Sequence, residues 1–434
     1  MRFSRMFARP SAKQNKPRSS SINMNAKKHA LTFVTITVFI DTVGFGVIMP
    51  VLPQFLVELS GSTLSEASVL AGYLVACYAG LQFFFAPLIG NLSDRYGRRP
   101  VLLVSLFAFG VNYLIAGFAT VLWVLFLGRI LTGITSATYA TANALIADVS
   151  PPDERAQNFG LMGMAFGLGF IVGPSLGGFL GEWHTRAPFF AAAGLAFINT
   201  LYGLFALKET LVKQHRRPFD FKRANPFTML LHIRRYPLLL GLIAVMFIYN
   251  IGHHVYPSNW NFYTIEKFAW TPFDVGLSMG LVGLLMAIIQ GGLIRVVIPK
   301  WGAPRTAVVG MLAAISAYIG IAFAPSSMAV YLWCFVSAFA GLMGPAVAGI
   351  MSNQVPQNEQ GELQGINASV SSIGAIIGPL IMTQSFTWFT QPTAPVYFPG
   401  IAFFVAGSLS VIALMLFISN MRMLSPPGPA QSGT

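Results

Sequence analysis

The apolar positions of this chain fall in long blocks, each enough to cross a bilayer as a helix of about 20 residues. Short Gly, Pro and polar punctuation separates them. Twelve blocks are predicted, centred near Gly44, Ala79, Gly110, Gly133, Gly169, Phe197, Phe247, Leu284, Ile315, Ala340, Ile373 and Val411, and a long polar stretch divides them six and six.

The two sets of six repeat at a constant offset of 205 residues. Leu88, Ile89, Arg95, Tyr96 and Gly97 pair with Leu293, Ile294, Lys300, Trp301 and Gly302. Asp148, Pro151 and Glu154 pair with Asn353, Pro356 and Glu359. Gly160, Gly169, Gly173 and Pro174 pair with Gly365, Gly374, Gly378 and Pro379. One offset aligning three separate regions predicts an all-α membrane fold: two six-helix bundles related by a pseudo-twofold along the membrane normal, rocking about a central site. The repeat is chemically lopsided. Asp41, Asp94 and Arg129 face Met246, Pro299 and Cys334, so proton and conformational control are expected in the N-terminal half, and cavity wall in the other.

Composition supports a bilayer setting. Of 434 residues, 55% are hydrophobic and 9% charged, and mean hydropathy is +0.65. Soluble domains carry about 25% charged residues, so there is too little charge here to coat a water-facing surface. The net charge of +13 raises a nucleic-acid partner, which its distribution argues against: 24 of the 27 Lys and Arg residues lie in the N-terminal tail, the C-terminal tail or every second gap between blocks. That is the positive-inside pattern, which predicts both termini and the middle loop in the cytoplasm.

The expected organisation is a disordered basic tail over 1–30, a six-helix bundle over 31–207, a cytoplasmic loop over 208–236, a second bundle over 237–421 and a tail over 422–434. The apolar run from Leu31 to Val57 is too long for a signal-peptide core, and Met24 is an alternative start. Cys77 and Cys334 both lie in apolar stretches and offer no disulfide framework or metal spacing.

Four motifs carry mechanism. Gly90-Asn-Leu-Ser-Asp94-Arg95-Tyr-Gly97-Arg98-Arg99-Pro100 lies between spans two and three. Gly90 and Gly97 allow tight turns, and Asp94 can accept from helix amides or an Arg, so the cluster is expected to latch the cytoplasmic ends of the halves. A plain topology-setting basic loop is the alternative. The first span holds Asp41 within a Gly- and Pro-rich run ending at Pro53. An intramembrane carboxylate is a functional hypothesis by default, and low dielectric disfavours its charged form, which suits proton carriage. The alternative is a carboxylate near the cytoplasmic end bonded to a neighbour. Arg129, in Gly128-Arg-Ile-Leu-Thr-Gly133, stays charged and must be paired; Asp41 is the candidate partner, directly or through water, and backbone carbonyls are the alternative. In the fifth span, Gly167-Leu-Gly169-Phe-Ile-Val-Gly173-Pro174-Ser-Leu-Gly177-Gly178 makes a smooth face for close helix contact, kinked at Pro174.

These motifs together resemble the major facilitator superfamily, and within it the drug:proton antiporters with twelve spans. The Gly90–Pro100 signature occurs across the superfamily; Gly173-Pro174 is similar to the antiporter motif and points to export. Much of residues 31–390 resembles the tetracycline resistance efflux proteins of Gram-negative bacteria, most locally in Ile48-Met-Pro-Val-Leu-Pro53, Phe85-Ala-Pro-Leu-Ile-Gly90, Arg95-Tyr-Gly-Arg-Arg-Pro-Val-Leu-Leu103 and Leu363-Gln-Gly365. The resemblance implies an antiporter driven by membrane potential or pH, with Asp41 near drug and proton and Gln82 and Gln290 on the cavity wall. Two positions depart from it. A His four residues before the Gln of span eight is Met286 here, and an Asp in span nine is Ala314. Coupling therefore concentrates on Asp41 and Arg129.

His253 and His254 sit beside Tyr249, Asn250 and Tyr256. They read either as exposed groups at the periplasmic mouth of span seven or as cavity groups in proton relay or substrate contact; Trp260 and Trp270 read as interfacial anchors. No phosphate loop, metal pattern or nucleophile elbow is present, so neither an ATP-driven pump, nor an enzyme, nor a cofactor is expected. The expected protein is a monomeric inner-membrane exporter of a small amphiphilic, drug-like or tetracycline-like compound, in exchange for protons, with Asp41, Gln82, Tyr249, Asn250, His253 and Gln290 contacting substrate. A proton-linked importer and a non-transporting receptor are the alternatives.

Overall fold

The computed structural model describes residues 24–135, 138–150, 155–211, 237–355 and 360–424, together with 214, 216, 218 and 219. Residues 1–23 of the expected N-terminal tail, most of the middle loop, Pro151, Glu154, Pro356 and Glu359 of the repeat, and the tail beyond Leu424 lie outside the described residues.

In a bilayer every backbone polar group must be satisfied within its own segment, which leaves helices as the form for such apolar blocks. Seventeen helices form the twelve spans among the described residues. Span one is α1 (Met24–Ile48) and α2 (Leu52–Ser60). Spans two and three are α3 (Leu64–Tyr96) and α4 (Arg98–Phe118). Span four is α5 (Leu122–Thr135) and α6 (Thr138–Val149). Spans five and six are α7 (Arg155–Trp183) and α8 (Ala187–Ala206). Span seven is α9 (Pro237–His253) and α10 (Val255–Phe268). Span eight is α11 (Pro272–Ile288) and α12 (Ile294–Trp301), joined by a π-helical turn over Ile289–Leu293. Span nine is α13 (Ala303–Ala322). Span ten is α14 (Ser327–Ala338) and α15 (Met343–Ser352). Spans eleven and twelve are α16 (Gln360–Thr390) and α17 (Ile401–Leu424). Among the described residues, eleven spans are long and apolar enough to cross a membrane; the described part of span four at Leu122–Thr135 is a shorter apolar helix.

The 205-residue offset governs backbone geometry as well as sequence. The 3-10 turn at Met49–Val51 in span one recurs as the break at His254 in span seven. Gly97 (φ 112°) and Gly302 (φ 78°) each end one helix and begin the next, a left-handed turn that a side chain would strain. The offset fails at the last pair, where the connection Gln391–Gly400 delays α17.

Gly90 does not turn the chain. It lies inside α3, which runs unbroken to Tyr96, because only Gly97 adopts the positive φ that a reversal needs. The expected turn at Gly90 is therefore corrected to a single one at Gly97.

The bundles grip each other at one end. Helix α7 is the main spacer, and its small residues serve two partners. A Cβ on Gly173 would lie 2.8 Å from the Val43 carbonyl of α1, and one on Gly178 would lie 2.5 Å from the Pro272 carbonyl of α11. Gly169 and Gly177 abut α1 in the same way, while Pro174 packs on Gly46 and its carbonyl meets Gly276 of α11. Across the pseudo-twofold, α3 meets α16: Ser65 Oγ is 2.5 Å from Thr390 Oγ1, Thr387 donates to the Ser65 carbonyl at 2.6 Å, and Ser68 is 2.9 Å from Thr387. Asn261 donates to the Met49 carbonyl and Phe273 N–H to Glu182. The contacts of α3 with α16, of Asn261 with Met49 and of Phe273 with Glu182 lie toward the end opposite Arg95, Arg98, Arg99 and Lys300. Toward that basic end, Gly90, Gly160, Gly291, Gly292 and Gly349 have no heavy atom within 4 Å of a built Cβ.

Candidate functional site

Three groups of polar side chains lie within these bundles. The first surrounds Asp41 and Arg129. Asp41 sits about two turns before the end of α1, inside span one, and Arg129 in the middle of α5, both half-buried. The expected direct pair between them is not formed: among the described residues the ion pairs are those of Arg98. Tyr113 of α4 is near enough to sense both charges. Its hydroxyl is 3.8 Å from where a Cβ on Gly44 would sit, so the bare backbone of α1 admits the ring. A cavity of about 20 Å³ lies beside it, lined by Asn112, Tyr113 and Arg129 among apolar neighbours including Ile48 and Leu125. That holds one water with polar partners. Gln82 donates to the Tyr78 hydroxyl at 3.2 Å, and Tyr78 in turn lies within electrostatic range of Arg129 and Tyr113. Sequence reading missed Tyr78 and Tyr113. The available signal was phenol groups one helical turn from Gln82 and in the span beside Arg129.

The second group is the motif at the basic end. Arg98 Nη1 is 2.5 Å from Asp94 Oδ1, Arg98 Nε is 3.0 Å from Asp148 Oδ2, and Nη1 also donates to Ser93 Oγ at 3.0 Å. Glu209, just past span six, receives the Arg98 and Arg99 backbone amides at 2.9 and 3.3 Å. A carboxylate there satisfies donors that the first turn of α4 leaves open and complements the helix dipole. Arg99 Nη2 donates to the Leu204 carbonyl at 2.7 Å. Arg95 is exposed, its guanidinium carbon 5.2 Å from the Tyr96 ring. These bonds tie spans two, three, four and six of the N-terminal half to one another; they do not reach the other half. The expected latch between halves is thus, in this structure, a clamp within one half, because the halves are in contact at the opposite end.

The third group is in the C-terminal half. Span seven continues through α10 to Phe268, so His253 and His254 lie near its middle and not at a mouth. Asn259, Asn261, Glu266 and Lys267 made the second half of that span look like a loop; Asn259 is in fact fully buried. His253 Nδ1 is 3.3 Å from the Tyr318 hydroxyl, its ring stacks on Tyr249 at 6.0 Å and meets Tyr256 edge-on at 5.7 Å. Trp260 and Trp270 are not interfacial anchors. Both are buried, donating to Ser278 and Ser327 at 3.0 and 2.8 Å, since a buried indole needs an acceptor for its N–H. Of the remaining expected contacts, Asn250 donates to Ser371 of α16 at 3.0 Å on an exposed face. Gln290 lies exposed in the π-helical turn, its amide beside Gly341. The structure therefore divides the expected substrate residues among separate places: Asp41 and Gln82 in one bundle, Tyr249 and His253 inside the other, Asn250 and Gln290 on exposed faces.

Two repeated bundles that touch at one end and hold ionisable groups in their spans are the architecture of a multi-pass membrane transporter. The Major Facilitator Superfamily profile matches residues 34–379 and 299–433, and the chain belongs to that superfamily. It is accordingly a transporter and not an enzyme. The chain is 37% identical over 391 residues to the class C tetracycline resistance protein of Escherichia coli, covering 89% of this chain and 96% of that one. It is 36% identical over 359 residues to the class B protein of the same species, covering 82% and 88%. Multidrug resistance protein 2 of Bacillus subtilis is 29% identical over 83% of this chain and 89% of its own. Among solved structures, a bacterial homologue of the human lysosomal transporter Spinster, inward-facing and unoccupied, superposes with a TM-score of 0.76 at 16% identity over 94% of this chain and all of that one. The human organic anion transporter MFSD10 superposes at 0.67 with 23% identity over 90% and 99%. These two share the fold.

Proposed function

We propose that the protein is an inner-membrane antiporter exporting a small amphiphilic, tetracycline-like compound in exchange for protons. The observation that carries this reading is a carboxylate, Asp41, inside membrane span one in a chain over one third identical to proteins named for tetracycline resistance. Lys and Arg concentrate at one end of the bundles, so that end and both termini face the cytoplasm. The bundles then meet on the periplasmic side, and the conformation described is open to the cytoplasm. Substrate enters from that side. Reversal separates α7 from α11 and α3 from α16, and brings the basic ends together. Asp41 takes a proton from outside and yields it as substrate arrives from within, while Arg129 reads its charge through Tyr113 and the small cavity beside it. The aromatic and Met-rich interior gives the adaptable surface suited to a poorly selective binder.

Reconstituted protein under an imposed pH gradient tests this. Substrate, beginning with tetracycline, is expected to leave the compartment that corresponds to the cytoplasm as protons enter it. Asp41→Asn is expected to remove gradient-driven efflux altogether; undiminished efflux discards the role of Asp41. Uptake coupled to proton entry in the same direction marks an importer instead.

A further inference from the structure

The two bundles carry a matched pair of buried tyrosines. Tyr113 and Tyr318 stand 205 residues apart, on spans three and nine, each inserted into the interior of its own half. Their neighbours obey the same register. Tyr113 lies over Gly44 of α1, and Tyr318 meets the hydroxyl of Tyr249, the position equivalent to Gly44. The next turn holds Ile48 beside the N-terminal cavity and His253 at the equivalent place. Where one half pairs its tyrosine with a carboxylate and a guanidinium, the other pairs it with an imidazole.

We propose that His253, held by Tyr318, is a second proton-exchanging site, placed in the C-terminal half and coupled to the break between α9 and α10. The inference rests on the antiport reading for its purpose but not for its geometry. The titratable groups around this imidazole are Tyr249 and His254 on its own span, Tyr256 on α10, Tyr318 on α13 and, beyond Tyr256, Cys334 on α14. Residues 237–265, 306–358 and 363–421 contain no Asp, Glu, Lys or Arg, so the two histidines are the groups in those spans that ordinarily titrate near neutral pH. His253 as a whole residue is half-buried.

The exchange is a reversal of one hydrogen bond. With Nδ1 unprotonated, the Tyr318 hydroxyl donates to it across 3.3 Å. When the ring binds a proton from water, both nitrogens become donors. Nδ1–H then donates to the Tyr318 oxygen, and the Tyr318 proton turns toward Tyr249. Loss of the proton to water restores the first state. His254, the next residue, forms the turn between α9 and α10, so the reversal acts where span seven can bend.

The full-length protein in lipid nanodiscs, labelled with nitrogen-15 at histidine, tests this without substrate or gradient. Among the signals of the six histidines, the one assigned to His253 is expected to titrate between about pH 5 and about pH 8. That signal should vanish in His253→Gln, survive in His254→Gln, and shift its midpoint by about half a pH unit or more in Tyr318→Phe. A His253 ring that keeps one protonation state across that range, or whose midpoint ignores Tyr318→Phe, overturns the proposal. In proteoliposomes, His253→Gln should change the pH profile of gradient-driven flux. An unchanged profile overturns the coupling. If the wild-type protein performs no gradient-driven transport, the antiport reading fails, while the titration still decides the site.

Discussion

At Gly97 and again at Gly302, a left-handed glycine ends one helix and starts the next, yet different chemistry gathers at the two turns. Around Gly97, Arg98 reaches Asp94 and Asp148, and Glu209 caps α4. Around Gly302, the equivalents of Arg98 and Asp94 are Ala303 and Pro299. The same contrast runs through the interiors, where Asp41 and Arg129 face Met246 and Cys334 by register. A duplicated backbone keeps its bends because bends are set by glycine, proline and packing. Charges are costly in a bilayer and persist only where each has a task or a partner. The N-terminal half has kept them, and the C-terminal half has replaced them with aromatic rings and two histidines.

The largest effect that can break this comparison is at the shared grip. Gly178→Leu places side-chain atoms against the Pro272 and Phe273 backbone, which cannot yield without parting α7 from α11. A Ser65→Cys/Thr390→Cys pair is expected to cross-link readily in the wild-type background, where the two side-chain oxygens are 2.5 Å apart, and to lose cross-linking in Gly178→Leu. Persistent cross-linking would mean that α7 does not set the grip. Next is the clamp. Arg98→Ala leaves Asp94 and Asp148 without their cation and is expected to cost about 3 kcal/mol, measured as lost thermal stability in detergent. The equivalent change at the other turn, Ala303→Gly, should cost about 1 kcal/mol through helix propensity alone. Equal losses would erase the asymmetry.

Smaller still, Glu209→Gln keeps the size of the cap but removes its charge. A loss of about 0.5–1 kcal/mol is expected, and added salt should weaken the wild-type protein toward the variant. Tyr113→Phe sharpens the interior comparison: it retains the packing and deletes the hydroxyl near Asp41 and Arg129. Stability is expected to change by about 1 kcal/mol, while the pH midpoint of gradient-driven transport moves. A midpoint that stays fixed removes Tyr113 from the coupling path.

Much of this was legible beforehand. Apolar blocks gave the spans because a bilayer admits few backbone forms. The repeat gave the two halves because the register survives in glycines and prolines whose backbone roles tolerate little change. The small residues of span five were readable as a contact face, although not that the face is shared between α1 and α11. Span seven misled because polar residues such as Asn259 and Trp260 are buried inside the bundle, Trp260 donating to Ser278 of span eight.

Local physics alone was enough to mark which segments enter the membrane and that an acid and a cation lie inside the first half. Tertiary structure alone decided who meets whom. It put Tyr113 near Asp41 and Arg129, gave Arg98 to Asp148, closed one end of the bundles and turned His253 toward Tyr318. Those pairings depend on distances between helices tens to hundreds of residues apart in the chain, and helical periodicity carries no record of them.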